Sequence, residues 1–147
     1  MRTLVIAGLM LALCAVGSAH AACTPGSLDL RWPGGQAHFT VEVAADQAAR
    51  EKGLMFREHM ASSAGMIFVY QAPNHARFWM KNTLLPLTAA FVADDGTIVN
   101  LADMKPQSTD SHCSLKPVRF VLEMHQGWFA KKGFKAGNKL VGLPFKP

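Results

Sequence analysis

Apolar and polar residues alternate along much of this chain with the two-residue period of strands that bury one face. Leu28, Leu30 and Trp32 are interleaved with Asp29 and Arg31, and Ala37, Phe39, Val41 and Val43 with His38, Thr40 and Glu42. Pro33-Gly34-Gly35 separates the runs. Proline pre-sets its own φ and glycine accepts a positive one, so the pattern predicts a β-hairpin. Asp46 can accept the free amides of a first helical turn, Gln47–Lys52 are good helix formers, and Gly53 supplies the stop. Leu54-Met55-Phe56 is too apolar for a loop tip and is expected to tuck beneath the sheet, with Arg57-Glu58-His59 as polar punctuation.

From Gly65 the strand pattern returns. Met66-Ile67-Phe68-Val69-Tyr70 is continuously apolar, as a strand covered on both faces would be. Residues 76–81 alternate, with Phe78 and Met80 on one side and Arg77, Trp79 and Lys81 on the other, until Pro86 interrupts the ladder. Residues 87–93 and 97–104 flank Asp94-Asp95-Gly96, a second hairpin. Residues 105–116 have no period, and a loop of that length is usually functional or tethered. A strand over 118–124, one helical turn from Trp128 ended by Gly133, and a short strand over 139–143 complete the reading. Many short strands with Gly and Pro between them predict a mainly β chain: a single-domain β-sandwich or partly open barrel with one short N-terminal helix.

The first 21 residues stand apart. Arg2, an apolar stretch and Ala19-His20-Ala21 fit a cleaved export signal, and the apolar run is too short to span a bilayer. The expectation is a periplasmic or secreted domain over 22–147 with no membrane span in the mature form. Of the three cysteines, Cys14 would leave with the signal. Cys23 and Cys113 would then form a disulfide, stabilising by roughly 3–5 kcal/mol in the chain-entropy model. The rival reading makes Cys23 a lipid-modified first residue, although His20 stands where a lipoprotein signal wants an aliphatic side chain. The net charge of +5 falls to +4 without Arg2. The surplus gathers at Lys131, Lys132, Lys135, Lys139 and Lys146, without the interleaved aromatics of a nucleic-acid surface. A solvated basic face is expected, and no nucleic-acid partner.

The densest cluster of specific side chains is Arg77-Phe78-Trp79-Met80-Lys81-Asn82-Thr83. Its residues 78–83 with Pro86-Leu87, together with Gly53-Leu54-Met55-Phe56-Arg57, Gly65-Met66-Ile67-Phe68, and Val121-Leu122-Glu123 followed by Gly127, make four blocks that resemble the uncharacterised family catalogued as domain of unknown function 192. The resemblance runs from about Leu28 to Leu143 and implies a compact, mainly β domain, often exported, with no agreed activity. Two departures stand out: Thr88, where the family usually carries Asp, and Asn138, where Gly-Asp is usual. Neither acid can be assumed to serve here as a base or metal ligand.

Three chemistries compete. The favoured one is a non-catalytic binding module for a small polar or glycan-like ligand. Its surface would comprise Arg77, Trp79, Lys81, Asn82 and Thr83, with Glu123 as a neighbour, because an indole face beside ammonium and amide donors suits sugars and cations. The bland alternative buries Trp79 in the core and gives Asn82 a turn. A second reading is copper handling by Met and His residues, including His59-Met60 and Met124-His125, although no spacing fixes a coordination geometry. The third is a hydrolytic enzyme of unknown class. It lacks an assembled nucleophile, acid–base pair or metal motif; His112 next to Cys113 would point the opposite way along a strand. No catalytic residue, cofactor or metal site is assigned.

Overall fold

The computed structural model describes residues 25–32 and 35–141, with side chains from position 41 onward. The predicted signal segment, Cys14, Cys23 and the end of the predicted last strand lie outside the described residues.

β1 (Pro25–Trp32) and β2 (Gly35–Ala44) form the predicted hairpin, with Leu28 opposite Phe39 and Leu30 opposite Ala37. α1 (Gln47–Lys52) begins as its sequence dictates, the Asp46 carboxylate accepting from the Ala49 amide at 2.8 Å. It ends at Gly53, which takes φ 48° and donates to the Ala49 carbonyl. β3 (Ala64–Asn74) then pairs parallel to β2, so α1 and the turn after it act as the crossover that parallel pairing requires. The remaining elements are β4 (Arg77–Phe78), β5 (Leu87–Val92), β6 (Ile98–Met104), β7 (His112–Cys113), β8 (Val118–His125) and α2 (Trp128–Lys131). One mixed sheet runs β1-β2-β3-β8-β5-β6, and β4 and β7 form a separate two-stranded ribbon.

Successive side chains of a strand face opposite ways, so the sheet carries a core on each face. On one face Ile67, Phe120, Leu122 and Met124 are covered by Trp128, Phe129, Phe134 and Leu140. On the other, Met66, Phe68, Phe91 and Val121 are covered by Leu54, Phe78, Met80 and Leu85. β5 is buried at every position, as a strand sandwiched between two covered faces must be. Four methionines, Met66, Met80, Met104 and Met124, are core residues, where a flexible thioether fills irregular apolar space.

The fold is therefore mainly β, with an open mixed sheet rather than a closed barrel. Two short helices form among the described residues: the predicted N-terminal one and, where one helical turn was expected from Trp128, α2. The second forms because Trp128 and Phe129 are drawn onto the first core, Trp128 stacking on Phe134 with ring centroids 5.9 Å apart. The strand predicted over 76–81 shrinks to Arg77–Phe78, since the Met80 amide turns away to the Ser108 carbonyl at 2.9 Å. Of the predicted last strand, the described residues show one bridge, between Thr97 and Lys139. Leu54 tucks in as expected, but Phe56 is 68% exposed, its backbone held at φ 64°.

The 105–116 segment is tethered by hydrogen bonds. Gln107 donates to the Thr83 carbonyl at 3.0 Å and Ser114 to the Ala76 carbonyl at 3.0 Å. The Ser114 hydroxyl accepts from the Ala76 amide, and the Asn100 side chain clasps Cys113 and Leu115. Cys113 is exposed and unbridged among the described residues, and its predicted partner Cys23 lies outside them.

A cleft over a buried carboxyl

A cleft of about 400 Å³ opens on the second face of the sheet, beside α1. Gln47, Arg50, Glu51 and Leu54 line it from α1 and the turn that follows. Phe68 and Tyr70 contribute from β3, and Glu123 from β8. Arg77, Phe78, Trp79 and Thr83 close a further side. Each of the four sequence blocks that carry the family resemblance supplies at least one of these walls.

Glu123 is the unusual member. It is 4% exposed and sits between Met66 of β3 and Ala89 of β5 in the ladder. No hydrogen bond or ion pair to its carboxyl forms among the described residues. Loss of hydration with no compensating partner pushes that carboxyl up to about 8, so it is protonated at neutral pH. Every polar side-chain atom sealed inside the described structure has a partner. The Glu123 oxygens are excepted because they look into the cleft. β3 passes very close here: a Cβ on Gly65 would lie 2.3 Å from the Glu123 carbonyl oxygen. Only glycine lets the two strands approach at this point.

The surroundings are firmly held. Arg50 lies over the Tyr70 ring at 5.1 Å, and donates to the Val69 carbonyl at 3.1 Å and to the Ala45 carbonyl, tying α1 to the sheet. Burial pushes the Tyr70 phenol up, Arg50 pulls it down, and Glu123 adds to the rise. In the same cross-strand row, Glu42 pairs with Arg57 through both oxygens, and that hydrogen bond holds its carboxyl below the usual range. Arg77 is exposed and makes no ion pair among the described residues.

Of the six predicted site residues, the structure brings Arg77, Trp79, Thr83 and Glu123 to the cleft. Trp79 is 50% exposed while Phe78 and Met80 face inward, as their alternation predicted. Lys81 is not a wall of the cleft; its ammonium lies over the Trp79 ring at 5.5 Å. Asn82 is a turn residue at φ 56° whose carbonyl accepts from the Phe56 amide at 2.8 Å. The contribution of α1 carried no signal in the sequence beyond that of an ordinary polar helix. Only the spatial crossover brings Arg50 and Leu54 beside Glu123.

Both departures from the family pattern do structural jobs. Thr88 is buried, donates to the Asp103 carboxylate across the β5–β6 ladder, and accepts from the Gly127 amide at 3.3 Å. Asn138 accepts from the Lys135 amide at 2.8 Å in a turn. Among the described residues no three of His, Cys, Asp and Glu gather where they could hold a metal ion.

Fold and cleft together define a class: a small mixed-sheet domain in which a buried carboxyl, unpartnered among the described residues, lines a side cleft. The chain belongs to the family described as Uncharacterized ACR, the domain of unknown function 192, which matches residues 30–142. Two solved structures resemble it. One is a candidate transcription regulator from Sinorhizobium meliloti 1021, 36% identical, covering 82% of this chain and 95% of its own, with a TM-score of 0.79. The other is a protein of unknown function from Novosphingobium aromaticivorans DSM 12444, 32% identical, covering 84% and 89%, also with a TM-score of 0.79. No curated protein matches the chain.

Proposed function

We propose that this is an exported, non-catalytic binding domain that holds a small polar, sugar-like ligand in the cleft above Glu123. The observation that carries the reading is a carboxyl almost withdrawn from water with no partner among the described residues. Such a group costs roughly 1–3 kcal/mol unless something supplies its hydrogen bond. Trp79 offers the flat apolar face, Arg77 the directional donors, and Thr83, whose hydroxyl donates to the Lys81 carbonyl at 3.3 Å, an acceptor, in the proportion typical of small-ligand sites. We read the β4–β7 ribbon, with α1, as a reduced second layer of a sandwich, and Cys113 as the exposed half of a disulfide to Cys23 in the exported chain. The transcription-regulator description of the Sinorhizobium meliloti neighbour is not carried over. The described helices, six and four residues long, are too short to serve as a recognition helix.

Isothermal titration with a panel of neutral and acidic saccharides, including peptidoglycan fragments, tests the reading. Saturable binding that Trp79→Ala weakens at least about tenfold is expected. The reading fails if the whole panel gives no heat, or if binding is indifferent to Trp79→Ala.

A further inference from the structure

The charge lining this cleft is lopsided. Arg50, Lys52 and Arg77 bring three cations to it, and Glu51 is the one carboxylate with an ordinary solvated setting. Arg50 is fastened to two backbone carbonyls and Tyr70, but its positive charge remains. Arg77 is unpaired among the described residues, and its planar fork is shaped for a carboxylate. Glu123, 4% exposed, is an acid with no acceptor for its proton among the described residues.

Resting on the binding reading above, we propose that the ligand carries a carboxylate, as an acidic sugar does. That carboxylate accepts a hydrogen bond from the Glu123 carboxyl while Arg77 pairs with its charge. The two needs are complementary: the protein holds a buried donor without an acceptor and a cation without an anion. A carboxylate answers both with one group. A phosphate ester is disfavoured by Phe68, Phe78 and Leu54, which make the walls apolar. The cost of burying charge there rises steeply from a monoanion to a dianion.

Binding then depends on pH through Glu123, because an ionised Glu123 repels the ligand and has nothing to donate. The other ionisable groups around it are Tyr70 on β3, Arg50, Glu51 and Lys52 on α1, and Arg77 on β4. Glu42 lies two strands away in the same row, already paired with Arg57. On β8 itself, Arg119 is held by Asp94 and the Tyr70 carbonyl, and His125 by the Met60 carbonyl. The Tyr70 phenol, raised by burial, stays neutral across the range that matters.

The test is titration of the full chain with matched probes: glucuronate against glucose, N-acetylmuramate against N-acetylglucosamine, and glucose 6-phosphate as the phosphate arm. At about pH 6.5 each acid is expected to bind at least about tenfold tighter than its neutral twin, with glucose 6-phosphate no tighter than glucose. Glucuronate affinity should fall about tenfold per pH unit once Glu123 ionises. Glu123→Gln, which keeps a donor and cannot ionise, should flatten that profile. Arg77→Ala should lose about tenfold for the acids alone. Arg77 is exposed, so this variant reports even if substitution at 123 disturbs folding. Equal affinity for acid and neutral twin overturns the carboxylate assignment and leaves the binding domain standing. Preference for the phosphate ester overturns it too. Failure of every probe overturns both.

Discussion

Thr88 and Glu123 are both 4% exposed, and Thr88 stands opposite Met124, the residue that follows Glu123. They sit almost side by side in the same ladder on opposite faces of the sheet, yet they are treated in opposite ways. Thr88 is saturated: it gives its proton to Asp103 and takes one from the Gly127 amide. Glu123 has only the cleft. A buried polar group with all its partners inside the chain is explained by the fold. One without them points to something the chain does not contain. Hence Thr88, the position where the family usually carries an acid, is set aside as structural, and the proposed ligand site rests on Glu123.

The comparison breaks most sharply in stability against pH. An unfolded Glu releases its proton near about 4.3, whereas folded Glu123 holds it to about 8. Between these values the folded state binds more protons, so stability falls as pH rises through the window and levels off above it. Glu123→Gln removes the term. It should match the parent protein near pH 5 and exceed it near pH 9 by on the order of 4 kcal/mol, read by urea denaturation. A flat difference between the two pH values would mean that Glu123 has a partner after all. The paired Glu42 behaves inversely: its pairing stabilises above its unfolded pKa and is lost on acidification, outside this window.

Gly65→Ala should cost roughly 1–3 kcal/mol, because the added methyl meets the Glu123 carbonyl and the Met124 sulfur at 2.3 Å. It should also weaken any ligand by shifting β8 at the carboxyl. Thr88→Val should cost about 1–2 kcal/mol, by leaving the Gly127 amide and Asp103 without their shared hydroxyl. The cleft's pH profile should be untouched by that change. A Thr88 variant that altered the profile would erase the distinction between the two faces. The smallest effect is expected at Phe56, whose positive φ strains a bulky side chain. Phe56→Gly should stabilise by up to about 1 kcal/mol, measured as a rise in Tm.

What the sequence revealed follows the range of the forces involved. The β1–β2 hairpin, the Asp46 cap, the Gly53 stop and the inward turn of Phe78 and Met80 depend on neighbours a few residues apart, and all are legible. The parallel pairing of β2 with β3, the β4–β7 ribbon and the folding of α1 over Glu123 depend on partners far along the chain. Alternation names a strand's faces but not its neighbours. The cleft was therefore half legible: Arg77, Trp79 and Thr83 lie within one short block. Glu123 entered as a neighbour of that block, and Arg50 and Tyr70 not at all. Lys81 and Asn82 were drawn in by proximity in sequence, but one sits on the indole and the other makes a turn.

The bond from the Phe56 amide to the Asn82 carbonyl joins two left-handed residues, one just past α1 and the other just past Trp79. It fastens two sides of the cavity to each other through main chain alone. The aperture is thus set by atoms that every substitution shares. A side-chain change along the lining therefore alters the chemistry of the walls while the gap between them keeps its shape.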